Sequence, residues 1–311
     1  MSLGFVFPGQ GSQSVGMVSS LSASFPSVKE TFSEASETLG YDLWTLVENG
    51  PTDALNKTDK TQPAMLAAAV AMWRVWQAQG LPQPTLLAGH SLGEYSALTC
   101  AGAISFTDAL TIVSQRGEFM QAAVPEGQGA MAAILGLDDE SVIKLCAESA
   151  QGQVVSAVNF NSPGQVVVAG DTDAVNRAVV LAKEKGAKRA LLLPVSAPSH
   201  CALMQPAADR LAETLQGVDV KMPMIPVLHN VNVSTANDVS EIRSLLVQQL
   251  YSPVRWVETV QRFAGEGITQ IIECGPGKVL TGLNKRIDKK VSTLPAFDAA
   301  TLESASAAVT N

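Results

Sequence analysis

Apolar stretches and turn residues alternate along the first 124 residues and predict the order strand, helix, strand, helix. The opening LGFVF is a buried strand followed by a Gly-rich turn, and the apolar run Pro84–Ala88 predicts a second strand. Helical periodicity covers 26–48, Gln62–Gln79 and 107–123. Because strands that alternate with helices pack as a parallel sheet covered on both faces, we expect an α/β unit here.

The pattern changes between residues 125 and 197, where short strands and two helices follow one another in the order β-α-β-β-α-β. This order is ferredoxin-like. The predicted strands are 129–137, 154–160, 165–169 and 189–195, and the predicted helices are 138–150 and 172–185. We therefore predict a small ferredoxin-like subdomain at 125–197. It is inserted into a large hydrolase-like α/β subdomain with a parallel sheet, formed by 1–124 and 198–311.

Four further elements are predicted where the chain returns to the large subdomain. They are a helix near 200–216, a strand at Ile225–Asn230, a helix at 238–249 and a strand at Thr269–Cys274. The residues after about 292 carry weak signals.

Composition narrows the class of protein. The chain is 46% hydrophobic and 16% charged, with a net charge of −8, so it has a sizeable core and does not suit nucleic acid or anionic membranes. The longest apolar run, Pro63–Trp73, is far shorter than the roughly 20 residues of a membrane span. Four dispersed cysteines and no targeting signal predict a reducing, cytoplasmic location. No His, Cys and carboxylate cluster has metal-ligand spacing.

The segment Gly89-His90-Ser91-Leu92-Gly93 matches G-x-S-x-G between a predicted strand and a predicted helix. A turn of this kind lifts a serine hydroxyl clear of the backbone as a nucleophile, and the N–H of the next residue faces a developing oxyanion. The motif therefore predicts Ser91 as the nucleophile and the N–H of Leu92 as an oxyanion donor. The turn around Gln10, after the first strand, exposes backbone N–H groups that suit the second oxyanion donor.

A serine nucleophile needs a base, and the chain has three histidines. We favour His200, because it lies where the small subdomain returns to the large one and sites form in clefts between domains. His90 neighbours the nucleophile, and His229 follows an apolar strand as a core or rim residue. Between Ser91 and His200 no acid stands at a convincing strand end, which predicts a Ser–His dyad whose imidazole is oriented by a neutral acceptor.

Arg116 stands in the middle of an apolar helical stripe. A guanidinium stays charged, so a buried one needs an anionic partner. The pattern leaves two partners open: a structural Asp or Glu, or the carboxylate of a substrate held by two hydrogen bonds.

Seven segments in order along the chain resemble the malonyl-CoA:acyl-carrier-protein transacylase family, in its free-standing bacterial form. They are FVFPGQGSQ, TQPA, GHSLGEYSAL, QRGEFM, NFNSPGQVVVAG, PSHCALM and GPGKVLTGL. The set is highly specific, whereas GHSLGE alone is shared with acyltransferase domains of polyketide and fatty-acid synthases. The resemblance implies an acyltransferase that carries malonyl from coenzyme A to acyl carrier protein in fatty acid biosynthesis, through a malonyl-serine ester and without a cofactor.

The resemblance also implies roles for individual residues. Ser91 takes the malonyl group, His200 is the base and acid, and the N–H groups of Gln10 and Leu92 bind the oxyanion. Arg116 pairs with the malonyl carboxylate. The implied supporting residues are Gln62 in the pocket wall, Asn159 and Asn161 near the thioester arm, and Gln249, whose main-chain carbonyl orients the base. Ser199 precedes the base where many malonyl-selective domains carry Phe, which leaves discrimination against methylmalonyl open.

The implied partners are the coenzyme A thioester and acyl carrier protein, acting on a monomer. A net charge of −8 opposes an acidic carrier protein, so local cations must receive it. The candidates are Lys188, Arg189, Lys285 and Arg286. A serine thioesterase or esterase, a polyketide-pathway acyltransferase and a non-catalytic acyl-CoA-binding protein are the alternatives.

Overall fold

The computed structural model describes residues 2–195 and 197–310; Met1, Ser196 and Asn311 of the predicted ranges lie outside the described residues. The strands are β1 (Leu3–Phe7), β2 (Leu86–Gly89), β3 (Gly129–Leu135), β4 (Val155–Ser162), β5 (Gln165–Asp171), β6 (Arg189–Leu192), β7 (Val227–Leu228), β8 (Gln270–Cys274) and β9 (Ser292–Ala296). The helices are α1 (Ser19–Ser24), α2 (Ser27–Leu39), α3 (Leu43–Asn49), α4 (Thr52–Leu55), α5 (Thr58–Ala78), α6 (Gly93–Cys100), α7 (Phe106–Ala123), α8 (Asp139–Ala150), α9 (Thr172–Glu184), α10 (Gln205–Gln216), α11 (Val239–Gln249), α12 (Trp256–Gly265), α13 (Val279–Ile287) and α14 (Ala299–Thr310).

Two sheets organise these elements. A parallel sheet has the order β7-β2-β1-β8-β9. An antiparallel sheet has the order β4-β5-β3-β6 and carries α8 and α9, which is the ferredoxin-like arrangement. The predicted fold class is therefore confirmed. The boundaries 124/125 and 197/198 stay a prediction.

The core of the parallel-sheet unit is built on α5. This helix is apolar nearly all round, as expected of a helix enclosed by other elements, and most of its residues are buried. Phe5 of β1 packs edge-on against Trp73 and Trp76, with ring centroids 5.4 and 4.9 Å apart. The helix begins at Thr58, four residues before the predicted start, so Pro63 lies inside it.

Several predicted boundaries were wrong. The helix predicted over 26–48 is two helices, because Gly40 ends α2 in the left-handed conformation and Asp42 caps α3 through a 2.8 Å bond from the N–H of Thr45. The strand predicted over Ile225–Asn230 keeps only its central residues as β7, and the helix predicted near 200 begins at Gln205 after a single 3₁₀ turn.

The patterns did not predict the helices that flank β8 or the elements of the tail. Helix α12 directly precedes β8, and helix α13 directly follows it. The weak signals after 292 correspond to β9 and α14. Because β9 is an edge strand that includes Pro295 and is only partly buried, its apolar alternation is faint.

The two sheets are joined next to the site. The Phe160 N–H in β4 donates to Val254 O over 3.0 Å, and the Val254 N–H donates to Val158 O over 2.8 Å. These bonds hold the antiparallel sheet beside the carboxyl ends of β1 and β2, where Phe7 and Gly89 are in register. Across residues 2–195 and 197–310, every helix is too short or too polar to span a bilayer.

Candidate active site

The segment Gly89–Gly93 turns sharply between β2 and α6 and carries Ser91 at its tip. Ser91 has a φ of 52°, in the left-handed region that side chains avoid, whereas neither glycine is left-handed. The glycines are needed for space. A Cβ on Gly89 would lie 1.8 Å from the Gly93 carbonyl carbon, and a Cβ on Gly93 would lie 2.0 Å from Phe7 O. The G-x-S-x-G spacing therefore reflects close packing of Gly89 on Gly93 and of Gly93 on β1.

His200 lies beside the hydroxyl of Ser91. Its Nε2 is 2.7 Å from Ser91 Oγ, and its Nδ1 is 2.7 Å from the main-chain carbonyl of Gln249. Because a carbonyl only accepts, Nδ1 carries the proton and Nε2 is free to accept from the serine. Burial, and then the Arg116 guanidinium, lower the pKa of His200 to about 3. The ring is therefore neutral and has the geometry that a general base requires.

Two backbone donors stand next to this pair. The N–H groups of Leu92 and Gln10 have no acceptor among residues 2–195 and 197–310, and both residues line the cavity that contains Ser91. Close packing brings the Gln10 N–H near the Ser91 turn, because the preceding Gly9 lies against it: a Cβ on Gly9 would lie 2.5 Å from His90 O. Unpaired N–H groups aimed at a reacting carbonyl are the requirement of an oxyanion hole.

Arg116 reaches the same point from α7 and is only 1% exposed. Its Nη1 donates to Gln62 Oε1 over 2.8 Å, and its Nη2 donates to Gln249 Oε1 over 3.1 Å and lies 3.5 Å from Ser91 Oγ. Within the described ranges it has no carboxylate partner, and its Nε has no acceptor. The sequence left two partners for Arg116 open. In the described ranges, no structural Asp or Glu pairs directly with it.

These residues surround a small, partly open cavity of about 120 Å³ between the two sheets. The wall consists of Gln10, Thr58, His90, Ser91, Leu92, Arg116, Met120, Met131, Asn159, Leu193, Val195, Ala197, Ser199 and His200. Gln62 was predicted in this wall, but it lies behind Arg116, fully buried, with its amide Nε2 3.6 Å from Met120 Sδ. It supports the guanidinium and is not in the wall.

Asn159 and Asn161 have different surroundings. Asn159 lines the cavity, and its side-chain Oδ1 is buried without a partner among the described residues. The Oδ1 of Asn161 instead lies 2.8 Å from His90 Nε2, and Asn161 is absent from the cavity wall. Register shifts on either side of Phe160 break the two-residue alternation, so these asparagines do not act as a matched pair.

The four cations predicted for carrier-protein docking are exposed at one end of the antiparallel sheet. Lys188 directly precedes β6 and Arg189 begins it, while Lys285 and Arg286 are in the last turn of α13. The Arg286 Nη1 donates to Gln165 Oε1 over 2.8 Å. Gln165 and Arg189 both pair with Leu135, so these two residues are about two strand spacings, roughly 10 Å, apart.

Sequence reasoning assigned no role to two residues beside the turn, Glu94 and Asn230. Glu94 is fully buried, and its carboxylate binds His229 Nδ1 over 2.7 Å and the N–H of Asn230 over 2.9 Å. His229 is therefore a core residue, one of the two placements considered. The signal for Glu94 was present in the sequence, because a charged residue directly follows the apolar, Gly-rich turn.

Over the described part of the chain, no three His, Cys, Asp or Glu side chains come together in a way that would hold a metal ion. The groups that converge on the cavity are a hydroxyl, a neutral imidazole, a guanidinium and backbone N–H groups. Together they suit transfer of an acyl group that carries a negative charge.

A strained serine on a strand–helix turn, a histidine base and backbone oxyanion donors define a serine acyltransferase or hydrolase of the α/β class. The family model described as acyl transferase domain matches residues 4–301. The chain belongs to this acyltransferase family, and the resemblance seen in the sequence is confirmed.

Two curated relatives carry the same name. The chain is 60% identical to the malonyl CoA-acyl carrier protein transacylase of Salmonella typhimurium over 94% of each chain. It is 45% identical to that of Bacillus subtilis, covering 97% of this chain and 95% of the other.

Solved structures agree in fold. An acyl carrier protein S-malonyltransferase from Vibrio cholerae has a TM-score of 0.96 at 60% identity, covering 98% of this chain and 99% of that one. A malonyl-transacylase in complex with a type II polyketide-synthase acyl-carrier protein has a TM-score of 0.98 at 56% identity, covering 99% of this chain and 100% of that one.

Proposed function

We propose that the chain transfers the malonyl group of malonyl-CoA to the phosphopantetheine thiol of acyl carrier protein in fatty acid biosynthesis, through an ester on Ser91. The observation that carries this proposal is the arrangement around one hydroxyl. His200 Nε2 is 2.7 Å from Ser91 Oγ on one side, and an Arg116 nitrogen without a carboxylate partner among the described residues is 3.5 Å away on the other.

In the first half-reaction, His200 Nε2 takes the proton of the Ser91 hydroxyl as Oγ bonds to the thioester carbonyl carbon. The oxyanion that forms is held by the N–H groups of Leu92 and Gln10. The carbon–sulfur bond then breaks, and the imidazolium returns the proton to the sulfur of coenzyme A. The Gln249 carbonyl, 2.7 Å from His200 Nδ1, stabilises the imidazolium while it exists.

The second half-reaction runs the same steps in reverse with a new thiol. His200 takes the proton of the carrier protein's thiol, the sulfur bonds to the ester carbonyl carbon, and the ester carbon–oxygen bond breaks as Ser91 regains its proton. Both halves therefore use the same two side chains, and no group beyond the two substrates is consumed. This ping-pong scheme needs neither a metal nor a cofactor.

Arg116 is the group that would select malonyl. Its guanidinium points at the cavity from a buried helix position, and its Nε has no acceptor among the described residues. A carboxylate two bonds beyond the reacting carbonyl would fill this need with charge-assisted hydrogen bonds. Asn159 Oδ1, also buried and without a partner in the described ranges, is available to an amide N–H of the pantetheine arm.

The cations Lys188, Arg189, Lys285 and Arg286 would receive the acidic carrier protein. Their exposure and their common position at one end of the antiparallel sheet support this assignment. The solved complex of a 56% identical malonyl-transacylase with its acyl-carrier protein supports a macromolecular partner of this kind. We also propose that the chain acts as a monomer in the cytoplasm.

The decisive experiment for the chemistry is intact-protein mass spectrometry after mixing with malonyl-CoA alone. We expect one malonyl adduct that maps to Ser91 and is absent in Ser91→Ala. Addition of carrier protein should move the group to its thiol. An adduct on Cys201 would reject the assigned nucleophile, and rapid hydrolysis without an acceptor would favour the thioesterase alternative.

The docking proposal is tested by reversing charges. Lys285→Glu with Arg286→Glu should slow transfer to the carrier protein and leave acylation by malonyl-CoA unchanged. The matched control is Lys144→Glu with Lys221→Glu, which makes the same change in net charge at exposed positions elsewhere. Equal slowing by both pairs would show that only total charge matters.

A further inference from the structure

The strained backbone of Ser91 is held from both sides by side chains. The Ser91 N–H donates to Asn230 Oδ1 over 2.7 Å, and Ser91 O accepts from Gln249 Nε2 over 3.0 Å. The Asn230 Nδ2 also donates to Gly89 O over 2.6 Å, so this asparagine spans the turn. A non-glycine residue in the left-handed region persists only where its surroundings hold it there, and these bonds supply that restraint.

Both restraining side chains depend on one carboxylate. Glu94 Oε2 accepts from the backbone N–H of Asn230 over 2.9 Å and from Gln249 Nε2 over 2.8 Å, while Oε1 is 2.7 Å from His229 Nδ1. Glu94 is fully buried in the first turn of α6. Three donors therefore meet the two oxygens of this buried carboxylate, which satisfies its capacity to accept hydrogen bonds.

Gln249 connects this carboxylate to the rest of the site. Its main-chain carbonyl accepts from His200 Nδ1, and its side-chain Oε1 accepts from Arg116 Nη2 over 3.1 Å. The Gln249 amide therefore joins the negative charge of Glu94 to the positive charge of Arg116 without a direct ion pair. Displacement of Glu94 would disturb the nucleophile, the base and the guanidinium together.

We propose that Glu94 is a positioning residue for acyl transfer: through Asn230 and Gln249 it holds Ser91 in the strained conformation that aims Oγ at His200. Glu94 is not among the residues that line the cavity, so it acts through Asn230 and Gln249. A role of Glu94 in acyl transfer rests on the proposed function. Its effect on the reactivity of Ser91 can be measured without malonyl-CoA.

The test uses a fluorophosphonate, which reacts with activated serines and lacks a thioester and a carboxylate. Labelling of Ser91 in the full chain is followed by mass spectrometry to obtain the limiting rate constant at saturating probe. We expect Glu94→Ala to lower this rate constant by about 10²-fold, the size expected when a strained residue loses the bonds that hold it. The half-saturating probe concentration should hardly change.

A conservative variant separates positioning from general destabilisation. Glu94→Gln keeps an oxygen for Asn230 and Gln249 and presents its NH₂ to His229, which can accept after its ring proton moves to Nε2. We expect Glu94→Gln to restore the rate constant to within about tenfold of wild type. A folded Glu94→Gln variant as slow as Glu94→Ala would overturn the proposal.

Glu273 supplies the matched control. It is also fully buried, and its carboxylate accepts from the N–H groups of Leu280 and Thr281 and from Thr281 Oγ1, at 2.9, 2.7 and 2.7 Å. Glu273→Ala should lower the melting temperature as Glu94→Ala does but leave the labelling rate within about threefold of wild type. Equal slowing in both variants would mean that Glu94 is merely structural.

Asn230→Ala keeps the test decisive if Glu94→Ala does not fold, because it removes the acceptor of the Ser91 N–H directly. It should slow labelling to a similar extent, and a folded Asn230→Ala variant that labels at the wild-type rate would reject the proposal. Failure of the proposed function gives a different result. Wild type would then react with the fluorophosphonate but form no malonyl adduct.

Discussion

Replacement of Arg116 by alanine should change which acyl group the enzyme prefers. In the free site the guanidinium has only neutral partners among the described residues. A malonyl carboxylate supplies the missing negative charge, whereas an acetyl group leaves the guanidinium as it was. Arg116→Ala removes this difference, so malonyl transfer should fall steeply while acetyl transfer falls little or rises.

The structure also sets the size of the effect. The contacts through Ser91 Oγ place Arg116 Nη2 within about 6 Å of His200 Nε2, where two positive charges repel by roughly 3 kcal/mol at an effective dielectric constant of about 20. This repulsion opposes the imidazolium that forms in the transition state. The malonyl carboxylate cancels it, so wild type should favour malonyl over acetyl by about 10²-fold in acylation rate. Arg116→Ala should abolish most of this factor.

The assay is single-turnover acylation of Ser91 by malonyl-CoA and by acetyl-CoA, each at saturation. Arg116→Lys should rescue malonyl transfer only partly, because an ammonium cannot make the two-pronged contact. Arg74→Ala is the control, since Arg74 pairs with Glu34 over 2.7 Å and stacks on Phe106, away from the cavity wall. A malonyl-to-acetyl ratio that is unchanged in Arg116→Ala would refute the reasoning.

Three further outcomes follow from the geometry. His200→Ala should slow acylation by at least about 10²-fold; a folded variant that keeps the wild-type rate would show that another group is the base. Because burial and Arg116 hold the pKa of His200 near 3, the base stays unprotonated, and the acylation rate should not change between about pH 5 and 8. A roughly tenfold fall in this rate between about pH 6.5 and 5.5 would contradict the low pKa. Gly89→Ala should yield no Ser91 adduct, because its Cβ would lie 1.8 Å from the Gly93 carbonyl carbon. The control Gly265→Ala has open space around the new Cβ and should behave as wild type. Normal labelling of Ser91 in Gly89→Ala would contradict this prediction.

The depressed pKa of His200 also affects stability. Its pKa in the folded chain lies below the unfolded value of about 6.5, so its contribution to the free energy of unfolding is complete above that pH and declines as the pH falls towards 3. Urea midpoints should therefore fall more between about pH 7 and 5 in wild type than in His200→Asn. An equal fall in both proteins would contradict the neutral, buried ring.

Local patterns determined the fold class and the position of the nucleophile. The β-α-β-β-α-β order was readable because each element of the antiparallel-sheet unit has its own periodicity and turn residues, and its sheet has the expected antiparallel order. Ser91 was readable because its turn is a contiguous motif whose glycines are imposed by close backbone packing, Gly89 on Gly93 and Gly93 on β1. His200 was chosen by its place between the predicted subdomains, and the structure sets it 2.7 Å from the hydroxyl.

Only the tertiary structure decided how the site is held together. The family resemblance implied that the Gln249 carbonyl orients His200, but the residue patterns could not show it, because every residue has a backbone carbonyl; the structure sets it 2.7 Å from Nδ1. The different surroundings of Asn159 and Asn161 arise from register shifts in β4 that the two-residue alternation does not reveal. The restraint of Ser91 by Glu94 and Asn230 joins residues 136 positions apart. Such contacts depend on how helices and strands pack, and the periodicity of any one element carries no information about its partner.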